Sequence, residues 1–397
     1  MTDTTLVPPM ELEDAFTLPT YAKPPVALVR GAGTTVWDTE GRAYLDFYGG
    51  HCVALLGHCP PRVVAAVQEQ AGELMFYSNA VYSPVRAQAA QALAGLAPDG
   101  LGHVFWCNSG SEANETALKL ARTVTGRPGV VAMHGGFHGR TLGALAATSG
   151  AGYRAPYADV LAPTRFVPFG WEGAVEEALA DGTVAAVIVE PIQSMAGAWE
   201  APAGYYRALR EICDKHGTVL IFDEVQTGVG RTGRFTYGEH VGVTPDLITL
   251  AKSLGAGVPV GAVLVSDAIA ATVKSGDQGT TFGGGMLAMA AVSATLAQLM
   301  DDGLMDRAVV LFDRIRAGAE ALPGVVEVRG RGGLVGIELD RLAKPVVAAL
   351  RAHGVIAGGS DDARTLRIMP PLTTTDAEVD AFLAVLAAAL AAGASDA

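Results

Sequence analysis

An α/β fold, with a large domain on a mostly parallel central sheet and a smaller α+β domain, is what this sequence predicts, on three observations. Short runs rich in Val and Ile recur between helical stretches, at 104–107, 130–133, 184–189, 219–222, 247–250 and 260–265. Uninterrupted apolar runs of this length are strands buried on both faces, and their alternation with helices makes the sheet largely parallel. The order of elements then changes after about residue 285, where helices and Gly-punctuated strands replace the alternation. Finally, a chain of 397 residues with half of them hydrophobic and only 17% charged exceeds one small core and is far too apolar for intrinsic disorder.

In chain order, residues 1–59 form a segment expected to pack with the smaller domain, 60–285 the large domain, and 286–397 the small one. Val63, Val64, Val67, Ala71 and Leu74 share one helical face, as do Ala113, Ala117, Ala121 and Val124. Past the last strand of the alternation, 286–300 and 305–322 read as helices, 325–339 as strands and 375–392 as a final helix. The uncharged stretch 279–300 is about long enough to span a bilayer. Gly283, Gly284 and Gly285 interrupt it and Thr280, Thr281, Ser293, Thr295 and Gln298 make it polar, so its second half is expected as a buried helix.

The balance of 28 basic against 41 acidic residues gives a net charge of −13, without the basic run that nucleic-acid binding needs. It does not exclude small anions, because two or three local arginines can hold one. Cys52, Cys59, Cys107 and Cys213 include no C-x-x-C pair and are too few for a disulfide framework, which fits a reducing compartment. His51-Cys52 and His58-Cys59 match no zinc spacing. The N-terminal residues carry neither a secretory nor an import pattern, so the expectation is a cytoplasmic protein that contacts no membrane.

Three motifs carry chemistry. Phe105 to Glu112 runs from a strand into a helix, and Ser109 with Glu112 fits a capping box. The unpaired N–H groups of such a helix start can hold a phosphate, with Gly110 allowing close approach and Ser111 adding a hydroxyl, although an ordinary capped helix reads the same way. Asp223 ends a buried strand, where open α/β sheets place ligands, and a carboxylate there keeps a heteroaromatic nitrogen protonated. Lys252 lies between an apolar strand and the Gly- and Pro-rich 254–261, and a desolvated amine is a competent Schiff-base nucleophile. A literal G-x-G-x-x-G occurs at 228–233, but 224–227 separates it from the strand and no helical period follows, so it is not a dinucleotide loop.

The ordered blocks 37–47, 108–122, 137–145, 189–193, 222–233, 250–254 and 280–284 together resemble the class III aminotransferases. These use pyridoxal phosphate on the fold-type I scaffold, and the resemblance is to the acetylornithine and ornithine aminotransferase subgroup. It spans about Tyr21 to about Leu372. It implies a ping-pong transfer of an amino group from a basic amino acid or its N-acyl derivative to 2-oxoglutarate. Lys252 would bind the cofactor covalently and then move the substrate proton. Asp223 would hold the pyridinium nitrogen so that the ring acts as an electron sink. Gly110 and Ser111 would hold the phosphate, with Thr281 reaching it from the second subunit of a homodimer. Phe137 would stack on one ring face, Val225 pack on the other, and Gln226 hydrogen-bond the phenolic oxygen. Arg140 would clamp the donor α-carboxylate bidentately, Tyr21 add a second donor contact, and Arg367 receive the oxo-acid carboxylate.

Three positions depart from that subgroup. It reads Q-G-E-[AG]-G after Val-Glu-Pro-Ile, where this chain has Gln193-Ser194-Met195-Ala196-Gly197. In the subgroup that glutamate pairs with the arginine matching Arg367 while an ω-amino donor is bound. With Met195 in its place, Arg367 is expected to attract a donor carboxylate or to find another acid. Gly285-Met286 stands where Asn-Pro is usual, and His51 where the subgroup carries an aromatic or aliphatic residue. The methionine opens an alternative with the same cofactor: an amino-acid racemase or epimerase, or a transaminase of α-amino groups. A catalytically idle binding protein would be expected to have lost Lys252 or Asp223, and both are present.

Overall fold

The apolar runs assemble into one seven-stranded sheet in the computed structural model, which describes residues 8–392. Its strands are β1 (His103–Cys107), β2 (Gly129–Met133), β3 (Thr164–Val167), β4 (Val184–Val189), β5 (Val219–Asp223), β6 (Leu247–Leu250) and β7 (Gly261–Val265). They lie in the order β1-β7-β6-β5-β4-β2-β3. Only β7 runs antiparallel to its neighbours. The central β4, β5 and β6 are buried at every residue, as a sheet covered on both faces requires. Alternate residues serve the two faces: Val130 and Ala132 pack with Ala113, Ala117 and Ala121, while Val131 and Met133 pack with Tyr205, Tyr206 and Leu209. The edge strand β3 escapes the sequence reading because only Val167 in it is buried, so it forms no apolar run.

Outside this sheet, Leu28–Ala32, Thr35–Asp38 and Ala43–Asp46 form an antiparallel meander, to which Val355–Ile356 adds in parallel beside Ala43–Asp46. Val325–Arg331 and Leu334–Leu339 form a hairpin, and Thr365–Ile368 pairs with its second strand. The helices Leu304–Glu320 and Asp376–Ala392 pack on each other. Met286–Asp301 is a helix with Met286, Met289, Val292, Leu296 and Leu299 buried, packed on Pro61–Glu73 and Pro84–Ala94. Among the described residues no helix is long and apolar enough to cross a membrane.

One expected face is only partly used. The helix Pro61–Glu73 buries Val63, but Ala71 is exposed, and Leu74 lies past the helix end in extended backbone with its side chain in solvent. Met75, Tyr77, Val81 and Tyr82 continue this exposed apolar surface.

Candidate active site

Three of the parallel strands deliver the site at their carboxyl ends. β1 leads through Asn108 and Ser109 into the helix Gly110–Thr125, β5 ends on Asp223, and β6 is followed by Lys252. Between them lies a cavity of about 460 Å³, lined by Gly110, Ser111, Phe137, Arg140, Asp223, Val225, Gln226 and Lys252 among others. Eight of the eleven residues singled out from the sequence therefore meet in one place. Tyr21 is exposed and lines no part of this cavity, Thr281 is exposed on a segment beside it, and Arg367 lies buried behind it.

The helix start is built to leave N–H groups free. Ser109 Oγ accepts from Glu112 N at 3.2 Å, and the first intrahelical bond runs from Ala113 N to Ser109 O at 3.0 Å. Glu112 Oε2 accepts from Asn108 N at 2.6 Å, one residue earlier than in the usual reciprocal box. The N–H groups of Gly110 and Ser111 precede that first intrahelical bond and face the dipole's positive end. A Cβ on Gly110 would lie 2.8 Å from both methyls of Val225, so only glycine lets Val225 close this wall. Ser111 Oγ sits 2.7 Å from Thr141 Oγ1.

Asp223 is buried and heavily bonded. His138 Nδ1 lies 2.7 Å from its Oδ2, Asn114 Nδ2 donates to the same oxygen at 2.8 Å, and Val225 N donates to Oδ1 at 3.1 Å. Asn114 is itself fixed, donating to His138 O at 2.7 Å and accepting from Thr249 Oγ1 at 2.7 Å. Burial works against a charge on His138, and the hydrogen bond and charge of Asp223 overcome it, leaving its pKa raised. A carboxylate offers about four lone-pair sites, so one remains on Asp223 for a donor in the cavity. His138, Asn114 and Thr249 were not singled out from the sequence; they support Asp223, Thr249 through Asn114, from a loop, a helix and β6, which no local pattern reveals. Glu190, at the end of β4, was also missed. It lines the cavity, accepts from Phe137 N at 2.7 Å, and is held by burial well above the ordinary carboxyl range.

Lys252 lies in the left-handed region at φ 42°, starting a short 3-10 turn. Burial lowers its pKa, against the opposing pull of Cys52, Asp223 and Glu190. The amine is thus shifted toward its neutral, nucleophilic form. Across the cavity Gln226 is buried with its side-chain oxygen lacking a partner. An unsatisfied amide here, a glycine cradle at a helix start and an open position on Asp223 together fit a phosphorylated heteroaromatic ring.

The substrate end is organised by a turn of unusual handedness. Gly49, Gly50, His51 and Cys52 have φ of 58°, 55°, 69° and 66°. For His51 and Cys52 this costs about 1–2 kcal/mol each. Asp46 offsets the strain, its two oxygens accepting from the N–H groups of Tyr48, Gly49 and Gly50 at 2.9, 2.9 and 2.8 Å. The turn sets His51 Nδ1 2.5 Å from the Tyr48 hydroxyl. His51 keeps one side to solvent yet is crowded enough that desolvation, then Lys252 and Arg367, hold its pKa down to about 4.

Arg367 is 2% exposed and has no acidic partner among the described residues. Its Nε donates to Gly359 O at 2.6 Å, Nη1 to Ser194 Oγ at 3.0 Å and Nη2 to Tyr48 Oη at 3.4 Å. Of the two outcomes expected for it, another acid is not the one seen among the described residues: neutral oxygens surround it instead. Arg140 likewise pairs with no acid among the described residues, its guanidinium lying 3.8 Å over the Tyr153 ring.

The model for aminotransferase class III matches residues 18–390. The acetylornithine aminotransferase of Methanopyrus kandleri is 46% identical over 388 residues, covering 96% of this chain and 98% of that protein. That of Mycobacterium tuberculosis is 44% identical over 374 residues, 93% of each. Among solved structures, the ornithine aminotransferase of Toxoplasma gondii superposes with a TM-score of 0.92 at 33% identity, covering 98% of this chain and 94% of that one. An acetylornithine aminotransferase from Elizabethkingia anophelis gives 0.82 at 31%, covering 96% and 97%. The fold and site define a pyridoxal-phosphate enzyme of fold type I. The chain belongs to the class III aminotransferases and is a transaminase acting on an amino donor and a 2-oxo acid.

Proposed function

We propose that this enzyme takes the amino group from a basic amino acid or its N-acyl derivative, of the ornithine or acetylornithine kind, and passes it to 2-oxoglutarate by a ping-pong route. The observation that carries it is a buried amine, Lys252, set near two arginines, Arg140 and Arg367, that have no acidic partner among the described residues. Two such cations suit a substrate with two carboxylates in one half-reaction and one in the other. The similarity to acetylornithine aminotransferases supports the donor class.

Pyridoxal phosphate supplies the electron sink. Lys252 would hold it, and the same amine, lowered in pKa by burial, would carry the proton of the substrate carbon. Asp223, fixed by His138 and Asn114, would accept the ring N–H at its remaining lone-pair site and so keep that nitrogen protonated. Gly110 and Ser111 hold the phosphate, Phe137 and Val225 flank the ring, and Gln226 meets the phenolic oxygen. Arg140 orients the donor carboxylate, with Tyr21 assigned a second donor contact. Residues 60–285 serve as the cofactor domain and 286–397, with 1–59 beside it, as the small domain.

The working unit is a homodimer in which Thr281 of one subunit reaches the other's phosphate. The exposed apolar side chains of Leu74, Met75, Tyr77, Val81 and Tyr82, with Phe282 next to Thr281, support this, because clustered exposed apolar residues mark protein contacts. The cysteine usage supports a cytoplasmic setting.

A half-reaction screen of amines tests the donor class, read by conversion of the holoenzyme's absorbance to the pyridoxamine form, with Lys252→Ala as control. N-acetylornithine or ornithine should convert fastest, and the variant should retain no borohydride-trapped cofactor. Conversion by α-amino donors alone would favour the second reading, a transaminase of α-amino groups, which the acid-free Arg367 also permits.

A further inference from the structure

Tyr48 is the residue that stands on Arg367. Its ring is seated where Gly358 has no side chain, since a Cβ there would overlap the Tyr48 ring carbons. From this seat the hydroxyl lies 3.4 Å from Arg367 Nη2 and 2.5 Å from His51 Nδ1. The two contacts have complementary directions. A guanidinium can only donate, so the Tyr48 oxygen accepts from Arg367 and its O–H donates to the imidazole. Burial holds the Tyr48 phenol above its ordinary pKa against the pull of Arg367, so the O–H stays intact to donate. His51, kept neutral, is free to accept.

Resting on the reading of Arg367 as the oxo-acid carboxylate site, we propose that Tyr48, oriented by His51 and seated on Gly358, is a neutral lid on Arg367 that a second substrate carboxylate displaces. The other two partners, Gly359 O and Ser194 Oγ, hold the guanidinium from positions that need not move. The Tyr48 contact is the longest of the three and the easiest to exchange. A neutral lid differs from an acidic one in what it selects. A dicarboxylate need only break one long hydrogen bond to a neutral oxygen to reach a full positive charge, with no ion pair to separate. The same weakness lets a single-carboxylate donor bind in the reversed orientation, so Tyr48 sets specificity on both halves of the cycle.

Glutarate, an unreactive dicarboxylate, serves as the probe, measured as an inhibitor of the holoenzyme with butyrate as the single-carboxylate control. Tyr48→Phe removes the hydroxyl and leaves the ring on its seat. It should tighten glutarate inhibition by roughly three- to tenfold, the worth of one such long hydrogen bond, and tighten butyrate, which Arg140 can hold instead, by less. KM for 2-oxoglutarate should fall by a similar factor with kcat changing less. His51→Asn, a residue that tolerates the left-handed backbone, should act in the same direction by a smaller factor because it only releases the hydroxyl. It also stands in if Tyr48→Phe does not fold, judged by retained cofactor absorbance. Weaker or unaltered glutarate inhibition in the folded variants overturns the lid, meaning that Tyr48 is a scaffold or a direct ligand. Arg367→Met separates the two ideas: if it leaves glutarate inhibition intact, the reading of Arg367 is itself wrong.

Discussion

Asp223 and Glu224 are neighbours in the chain and both are buried, yet they meet opposite surroundings. Asp223 has His138 at 2.7 Å and a closed set of donors. Glu224 has no cationic partner among the described residues; Tyr237 N and Thr227 Oγ1 donate to its Oε2 at 2.7 and 3.2 Å, and Oε1 is left without a partner. Burial therefore pushes Glu224 up to about 8, so that near neutral pH it holds a proton. Arg367 is a third buried group; it has no counter-charge among the described residues and cannot escape as Glu224 does, because a guanidinium does not lose its proton in proteins. The comparison teaches that burial alone does not decide ionisation. A charge persists where the fold supplies its partner, is given up where a proton can neutralise it, and otherwise is met by neutral acceptors alone.

Breaking the Asp223 side should have the largest effect. Asp223→Asn keeps the shape and most hydrogen bonds but removes the charge that opposes the burial of His138. We expect kcat to fall by about 10²–10⁴-fold, the range for losing a group that controls a catalytic proton. The His138 pKa, raised in the native protein, should drop as burial acts alone. Histidine NMR titration reads this second effect separately, and a His138 that titrates as before would mean that Asp223 is not its counter-ion.

How much of this was legible in the sequence follows the same division. The six strands marked by apolar runs all form, because strands buried on both faces carry their signal locally, whereas β3 at the sheet edge does not. Ser109, Asp223 and Lys252 could be found because each sits at the junction of a strand with a turn. Asn114, His138 and Thr249 are drawn together only by the fold, from a helix, a loop and β6, and nothing local marks them. The absence of an acid at Met195 was plain in the sequence, but not what replaces it. Tyr48 and Ser194 reach Arg367 from sequence separations of 319 and 173 residues.

Supplying Arg367 with the charge it lacks should sharpen the comparison from the other side. Met195 is half-buried and follows directly on Ser194, whose hydroxyl already touches the guanidinium. A carboxylate in Met195→Glu can add a charge-assisted bond worth about 1.5–3 kcal/mol, and it then masks Arg367 against the α-carboxylate of a donor. The ratio of kcat/KM for N-acetylornithine or ornithine over glutamate as donor should rise by roughly tenfold or more. An unchanged ratio under identical conditions would mean that Tyr48, Ser194 and Gly359 already mask the cation fully.

Glu224 touches stability rather than catalysis, and gives the clearest sign. In the unfolded chain its carboxyl ionises near its ordinary value of 4.5, while in the fold it keeps its proton up to about 8. Between those values the folded state binds more proton than the unfolded one, so stability falls as pH rises, by at most about 1.4 kcal/mol per pH unit. Below the lower value the stabilising preference is fully present, and above the higher one the loss levels off. Glu224→Gln cannot ionise and keeps an acceptor for Tyr237 N, so it should remove this slope without opening a cavity. Urea midpoints of both cofactor-saturated proteins should therefore differ little near pH 5 and diverge in favour of the variant toward about pH 8. Parallel curves would mean that Glu224 stays ionised in the fold, and that some cation has joined it where none pairs with it among the described residues.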